Sequence, residues 1–274
     1  MTIEYVCFLI TNKCNLKCDY CYRMESDIPF MPEQDFNQYL NKLKNMGCKV
    51  LNITGGETLL HPKWKEYVAY AKKLGYRIVL STNGLLLDIN EKILNDIDVL
   101  VIPLDGSKQE IDAIYRGDRH FEAVSQLIES YKVAKFPFRL KINTVLTKRN
   151  YHDMQNILLM LEGSDIYWRI FYYKQKGTFN TLYTEDYIEK IDYIRKIKEL
   201  SMKQTSPLMV ETCMQDVNFE IPYTVVTPDG KIYISIGEND EYVGNLNQMT
   251  EKEILNSIIN HGYEFEKRVK YCGI

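Results

Sequence analysis

Cys14, Cys18 and Cys21 fall in the run Lys13-Cys14-Asn15-Leu16-Lys17-Cys18-Asp19-Tyr20-Cys21, a C-x3-C-x2-C triplet. Three thiolates at this spacing can ligate three irons of a [4Fe–4S] cluster and leave the fourth iron without a protein ligand. An open metal position is where a small molecule can bind and react, as at catalytic zinc sites. A structural zinc knuckle is the competing reading, but it calls for four protein ligands, commonly in close pairs. His61, His120, His152 and His261 stand singly, as do Cys7, Cys48, Cys213 and Cys272. The spacing therefore favours the cluster.

Further residues with chemical potential follow apolar runs. Gly55-Gly56-Glu57 comes directly after Val50–Thr54. Paired glycines let a backbone approach a ligand closely or adopt positive φ, and a following carboxylate can pair with an ammonium. Ser81-Thr82-Asn83-Gly84 closes the run Ile78–Thr82 and reads equally well as an Asn-Gly turn. Asp105 follows Val99–Leu104, and Arg116 offers a planar bidentate donor for a carboxylate.

The elements that must position these residues alternate along the chain. Val6–Thr11, Val50–Thr54, Ile78–Thr82, Val99–Leu104, Leu140–Leu146 and Tyr167–Tyr172 read as strands. Helical spacing occurs at Phe36, Tyr39, Leu40, Leu43 and Met46, entered through Pro32, and again at Trp64, Tyr67, Val68, Ala71 and Leu74. Short or regular helices are expected at Asp88–Asn95, Phe121–Lys135 and Asp153–Leu161. Strands alternating with helices imply parallel βαβ units, whose ligand sites lie at the carboxyl ends of the strands. The cysteines, Gly-Gly-Glu, Thr82-Asn83 and Asp105 all fall at such ends.

The triplet and the Gly-Gly-Glu 34 residues after Cys21 resemble the radical S-adenosylmethionine (SAM) superfamily. That resemblance implies an α/β fold, a partial (βα)6 barrel, holding one [4Fe–4S] cluster on Cys14, Cys18 and Cys21, with SAM chelating the open iron. One electron from a reductant such as flavodoxin or ferredoxin then splits the sulfonium, and a 5′-deoxyadenosyl radical abstracts hydrogen. By the same resemblance Gly55, Gly56 and Glu57 bind the methionine amino group and Tyr20 packs near the adenine. Thr82, Asn83 and Asp105 belong to the SAM site, and Arg116 aligns with an arginine that binds the SAM carboxylate.

The expected core spans residues 1–205, and 206–274 is similar to the twitch/SPASM extensions of the superfamily. Alternation over Tyr223–Ser235 around Pro228-Asp229-Gly230 predicts a β-hairpin, followed by a helix over Glu251–Ile259. Ser235 stands where such domains carry a cysteine, so no auxiliary cluster is expected. Chemistry without that electron sink is redox-neutral: lyase or isomerase reactions.

Within the superfamily the chain is most similar to viperin-like enzymes, through Leu140–Val145 with Asn150, Trp168–Phe171 and Phe265–Tyr271. This similarity implies nucleoside triphosphate dehydration, with Lys141, Asn143 and Arg169 holding the anion; strand alternation puts Lys141 and Asn143 on one face. Peptide- or small-molecule-modifying chemistry stays open, including an epimerase with Cys213 as hydrogen donor. Only 13 residues precede Cys14, which speaks against a leader-peptide domain there. Cys7 and Cys48 read as ordinary buried thiols. A cluster- and SAM-binding subunit without turnover would show the same motifs.

The 274 residues carry a net charge of -3, with 45% hydrophobic and 26% charged side chains, as in a globular domain with a sizeable core. That charge argues against a broad nucleic-acid-binding face. No run of 18 apolar residues or basic-then-apolar amino terminus occurs, so a cytoplasmic, membrane-free protein is expected. Anaerobic reconstitution should give about four irons per chain, lost when Cys14, Cys18 and Cys21 are replaced by Ala; about eight irons, or retention in the triple variant, would contradict the cluster assignment.

Overall fold

A computed structural model describes residues 3–173, 186–203, 209–212, 222–236 and 238–261. Its centre is one ten-stranded sheet in the order β10-β9-β8-β1-β2-β3-β4-β5-β6-β7. The first six strands are β1 (Tyr5–Leu9), β2 (Val50–Thr54), β3 (Arg77–Ser81), β4 (Val99–Pro103), β5 (Arg139–Leu146) and β6 (Tyr167–Tyr172), joined in parallel. Helices α1 (Glu33–Asn45), α2 (Trp64–Lys73), α3 (Gln109–Arg116), α4 (His120–Val133) and α5 (Met154–Leu161) occupy the crossovers. This is the parallel α/β architecture expected of a partial barrel.

Period-two alternation sorts each strand between two environments. Val6 and Phe8 of β1, Leu51 and Ile53 of β2, Ile78 and Leu80 of β3 and Trp168 and Ile170 of β6 are buried against the helices. There Phe36 of α1 stacks on Tyr67 of α2 with ring centroids 3.8 Å apart. Full burial of such an apolar side chain stabilises by roughly 1.5–3 kcal/mol. The opposite residues face a cavity inside the curved sheet: Tyr5, Cys7 and Leu9 from β1, Asn52 and Thr54 from β2, and Lys141, Asn143 and Val145 from β5.

The structure corrects several details. Asp88–Asn95 is not a regular helix; turns lead into a 3-10 segment at Lys92–Asp96. The α3 helix was not expected, nor were α6 (Lys190–Lys203) and β7 (Met209–Thr212), which pairs parallel with β6. Tyr193, Ile197 and Leu200 of α6 are buried at i, i+4 and i+7, a spacing that was legible in the sequence.

The hairpin forms from β8 (Tyr223–Val226) and β9 (Lys231–Ile236), with Gly230 at φ 79 in its turn. Strand β10 (Asn239–Asn245) continues it, and α7 (Glu251–Asn260) follows behind a Thr250/Glu253 capping box. The hairpin is fused to the core sheet, because β8 pairs parallel with β1. Cys213, Cys272 and Phe265–Tyr271 lie outside the described residues.

Two ties link the hairpin to the loop after the cysteines. The Tyr22 and Tyr223 hydroxyls are hydrogen-bonded. Lys231 Nζ contacts Asp27 at 2.6 Å and Asp229 at 2.9 Å, while the Asp27 N–H donates to Asp229 at 3.2 Å. Burial opposes ionisation of Asp229, but donors on Thr227, Lys231 and Asp27 outweigh it and hold its pKa at about 2, below the usual 3.8. A depressed carboxyl pKa stabilises the fold above the unfolded value and ceases to do so as pH falls through the folded one. The melting-temperature advantage of wild type over Asp229→Asn should therefore be constant above about pH 5 and vanish towards pH 2; an advantage that grows on acidification would refute this.

Candidate functional site

The cysteine loop leaves β1 and is seated by its own backbone. Gly56 N–H donates to Thr11 O at 2.8 Å and Glu57 N–H to Lys13 O at 2.7 Å. A Cβ on Gly55 would lie 2.5 Å from Thr11 O, and one on Gly56 2.2 Å from Lys13 O. The two glycines thus admit the chain's own cysteine loop, where the sequence reading had a ligand approaching them.

Glu57 is fully buried, and its side chain does not line the cavity. Oε1 accepts from Leu59 N–H at 2.9 Å and Thr82 Oγ1 at 2.6 Å, and Oε2 accepts from Asn83 N–H at 2.7 Å. Desolvation pushes its pKa up, and these three donors oppose that shift. The carboxylate expected against a ligand ammonium instead braces the loops after β2 and β3. Asn83 Nδ2 extends the brace to Asn15 Oδ1 in the cysteine loop at 2.7 Å.

Asp105 repeats this pattern after β4. It too is fully buried and absent from the cavity wall. Its carboxylate accepts from the Tyr20 hydroxyl, from Arg116 Nε at 2.7 Å and from Val145 N–H at 2.8 Å. The Tyr20 ring lies 5.1 Å from the Arg116 guanidinium and 4.9 Å from Tyr115. Arg116 also donates from Nη1 to Cys18 Sγ at 3.5 Å. A buried carboxylate needs such donors to offset lost hydration.

A single cavity of about 460 Å³ gathers the remaining residues. Cys14, Cys18, Cys21, Tyr20, Gly55, Gly56, Thr82, Asn83 and Arg116 line one part; Lys141, Asn143 and Arg169 line another. Asn143 and Arg169 are register partners on β5 and β6. Lys141 Nζ is 5.2 Å from the Tyr167 ring, and the Arg169 guanidinium is 4.6 Å from Phe171. Asn143 Oδ1 is buried without a hydrogen-bond partner. Among the described residues the lining includes Arg23, Arg116, Lys141 and Arg169 and no carboxylate.

Cys7 is not an ordinary buried thiol. It lines this cavity, with Asn52 Nδ2 at 3.8 Å from its sulfur. The alternation Tyr5, Cys7, Leu9 along β1 was the available signal. Cys48 is buried as expected, its pKa pushed up to about 12 by desolvation.

The donor set fits a cubane better than one ion. Cys14, Cys18 and Cys21 are free thiols on one cavity wall. No three His, Cys, Asp or Glu side chains among the described residues converge to hold a single metal ion. A structural zinc site calls for four protein ligands, whereas a cubane with one open iron takes three cysteines. Burial raises the Cys14 and Cys18 pKa values, with Arg116 opposing the shift at Cys18. Metal loading must displace these protons.

Glu57→Ala would leave three buried donors without their acceptor, at about 1–3 kcal/mol for such a group. Apo protein carrying it should melt several degrees lower, and Asn83 should gain amide exchange. Unchanged melting and exchange would show that the carboxylate is no brace.

Comparison with known proteins bears on the family and the fold. The Radical SAM superfamily model matches residues 8–161, from β1 through α5. GTP 3′,8-cyclase from Chlorobaculum tepidum is 32% identical over 163 residues, covering 56% of this chain and 48% of that protein. AdoMet-dependent heme synthase from Methanosarcina barkeri is 29% identical over 194 residues, covering 68% and 54%. The chain spans about half the length of these relatives. Streptococcus suis SuiB bound to S-adenosylmethionine shares the fold with a TM-score of 0.74 at 16% identity, covering 92% of this chain and 65% of SuiB. With more than half its length matched by the family model, the chain belongs to the Radical SAM superfamily.

Proposed function

We propose that this chain cleaves SAM reductively at a [4Fe–4S] cluster on Cys14, Cys18 and Cys21 and acts on an anionic substrate, a nucleoside triphosphate, by redox-neutral dehydration of the viperin-like kind. Radical SAM enzymes use such a cluster with SAM, and together these supply the one-electron chemistry that removes a substrate hydrogen atom. The observation that carries the substrate class is that Lys141 and Arg169 line the same cavity as Asn143, whose buried Oδ1 has no hydrogen-bond partner. The relative named as a GTP cyclase is consistent with a triphosphate.

In this reading each part of the chain has a defined task. Gly55, Gly56, Thr82 and Asn83 form the SAM-side wall, with Tyr20 against the adenine. Glu57 and Asp105 hold that wall from behind. Lys141 and Arg169 pair with phosphate oxygens, a task suited to charge-assisted and bidentate donors, and the Asn143 amide meets the substrate between them. Apolar Leu9, Val79, Val101 and Val225 in the same lining limit water around the reacting atoms. Residues 206–274 serve as a twitch-like extension without an auxiliary cluster, and a flavodoxin or ferredoxin in the cytoplasm delivers the electron. No helix among the described residues is long and apolar enough to cross a membrane.

The test is 5′-deoxyadenosine release from reconstituted, dithionite-reduced protein. A nucleoside triphosphate should stimulate it, and Arg169→Ala should abolish the stimulation while basal SAM cleavage continues. Loss of a charged hydrogen bond costs roughly 1.5–3 kcal/mol, a tenfold or larger effect. If no common triphosphate stimulates release, the nucleotide assignment fails; peptide or other small-molecule chemistry, with Cys213 as hydrogen donor, takes its place. Absence of 5′-deoxyadenosine under every condition would mark a non-catalytic SAM-binding subunit.

A further inference from the structure

Arg116 is the last residue of α3, which Gly117 terminates at φ 81. Its side chain is 13% exposed and meets a different group on each side. Nε donates to Asp105 at 2.7 Å, Nη1 donates to Cys18 Sγ at 3.5 Å, and the guanidinium lies over the Tyr20 ring. Asp105 is itself fixed, by Val145 N–H on its carboxylate and by its own N–H donating to Asp112 Oδ1 at 2.9 Å. A planar guanidinium can reach carboxylate and sulfur together because its donors are set in a rigid fork. Cys14 accepts instead from a backbone donor, Leu16 N–H at 3.4 Å, so the cationic contact at Cys18 distinguishes these two cysteines.

We propose that Arg116, oriented by Asp105, is a positioning residue that hydrogen-bonds the Cys18 sulfur and raises the reduction potential of the cluster held by this loop. The inference rests on the cluster reading above and goes beyond it, giving Arg116 a sulfur partner where sequence resemblance gave it the SAM carboxylate. Reduction adds one electron to the cluster, and the added charge is shared with the ligand sulfurs. An N–H donor carrying positive charge therefore stabilises the reduced form more than the oxidised form; hydrogen bonds to sulfur and net charge are established determinants of cluster potential. Asp105 makes the arrangement tenable, since a guanidinium buried without a partner is strongly unfavourable.

The test compares wild type, Arg116→Gln and Arg116→Lys after anaerobic reconstitution, without SAM. Iron content is measured first, and the reduced cluster is then followed by electron paramagnetic resonance during a redox titration. Arg116→Gln should retain its iron and become about tenfold harder to reduce, which is 59 mV for a one-electron couple. Lysine keeps the charge but cannot span Asp105 and Cys18 with one fork, so Arg116→Lys should shift in the same direction. If the glutamine variant does not assemble, the lysine variant decides. Normal iron with unshifted potentials overturns the proposal, as does loss of iron from both variants. A lysine variant at the wild-type potential also overturns it, because charge alone would then suffice. A wild-type chain that binds no iron would instead overturn the cluster reading, and this inference with it.

Discussion

At Gly56 any side chain would collide with the Lys13 carbonyl, and the room that glycine leaves is filled by two backbone hydrogen bonds to the start of the cysteine loop. Everything at the open end of the barrel depends on this close approach. It joins the start of the cysteine loop to the segment after β2, and Glu57 in that segment holds Thr82 and Asn83. Asn83 returns to Asn15, so the loops after β1, β2 and β3 form a closed hydrogen-bonded circuit. The cavity wall is cross-linked by the chain's own hydrogen bonds, before any ligand is considered.

A second circuit on the other side of the cysteines follows the same logic. Asp105 joins β4, β5, α3 and the cysteine loop through Val145, Arg116 and Tyr20. Both acidic side chains lie behind the wall, and their charge is taken up by donors of the chain itself. The described cavity lining accordingly holds Arg23, Arg116, Lys141 and Arg169 but neither of these two carboxylates. In this way a chain with more acidic than basic side chains keeps Glu57 and Asp105 out of the cavity lining.

The cysteine triplet, the first six strands and the hairpin were legible because each is announced locally, by ligand spacing, period-two alternation or turn residues. The tasks of Glu57 and Asp105 were not, since a carboxylate at a strand end is equally suited to a ligand or a brace. What decides between them are donors 25 residues away at Thr82 and 40 away at Val145. Helix α3 escaped notice because its buried residues include Asp112 as well as Tyr115, so its inner face carries little apolar periodicity. Cys7 was legible in principle, but the inward face of β1 acquires meaning only once the sheet curves around a cavity.

The pairing of β8 with β1 has a consequence for how the molecule is made. The partners that secure the cysteine loop from this side are distant in the chain: Tyr22 and Tyr223 are 201 residues apart, Asp27 and Lys231 204. Synthesis proceeds from the amino end, and contacts between distant segments close late. While the ribosome is still building the barrel helices, β1 has an unpaired edge and the three thiols sit on a loop anchored from one side only. Full anchoring of the cysteine loop is thereby tied to synthesis of the distant hairpin, and a chain terminated before β8 would leave the β1 edge open and Cys14, Cys18 and Cys21 on a loop held from one side.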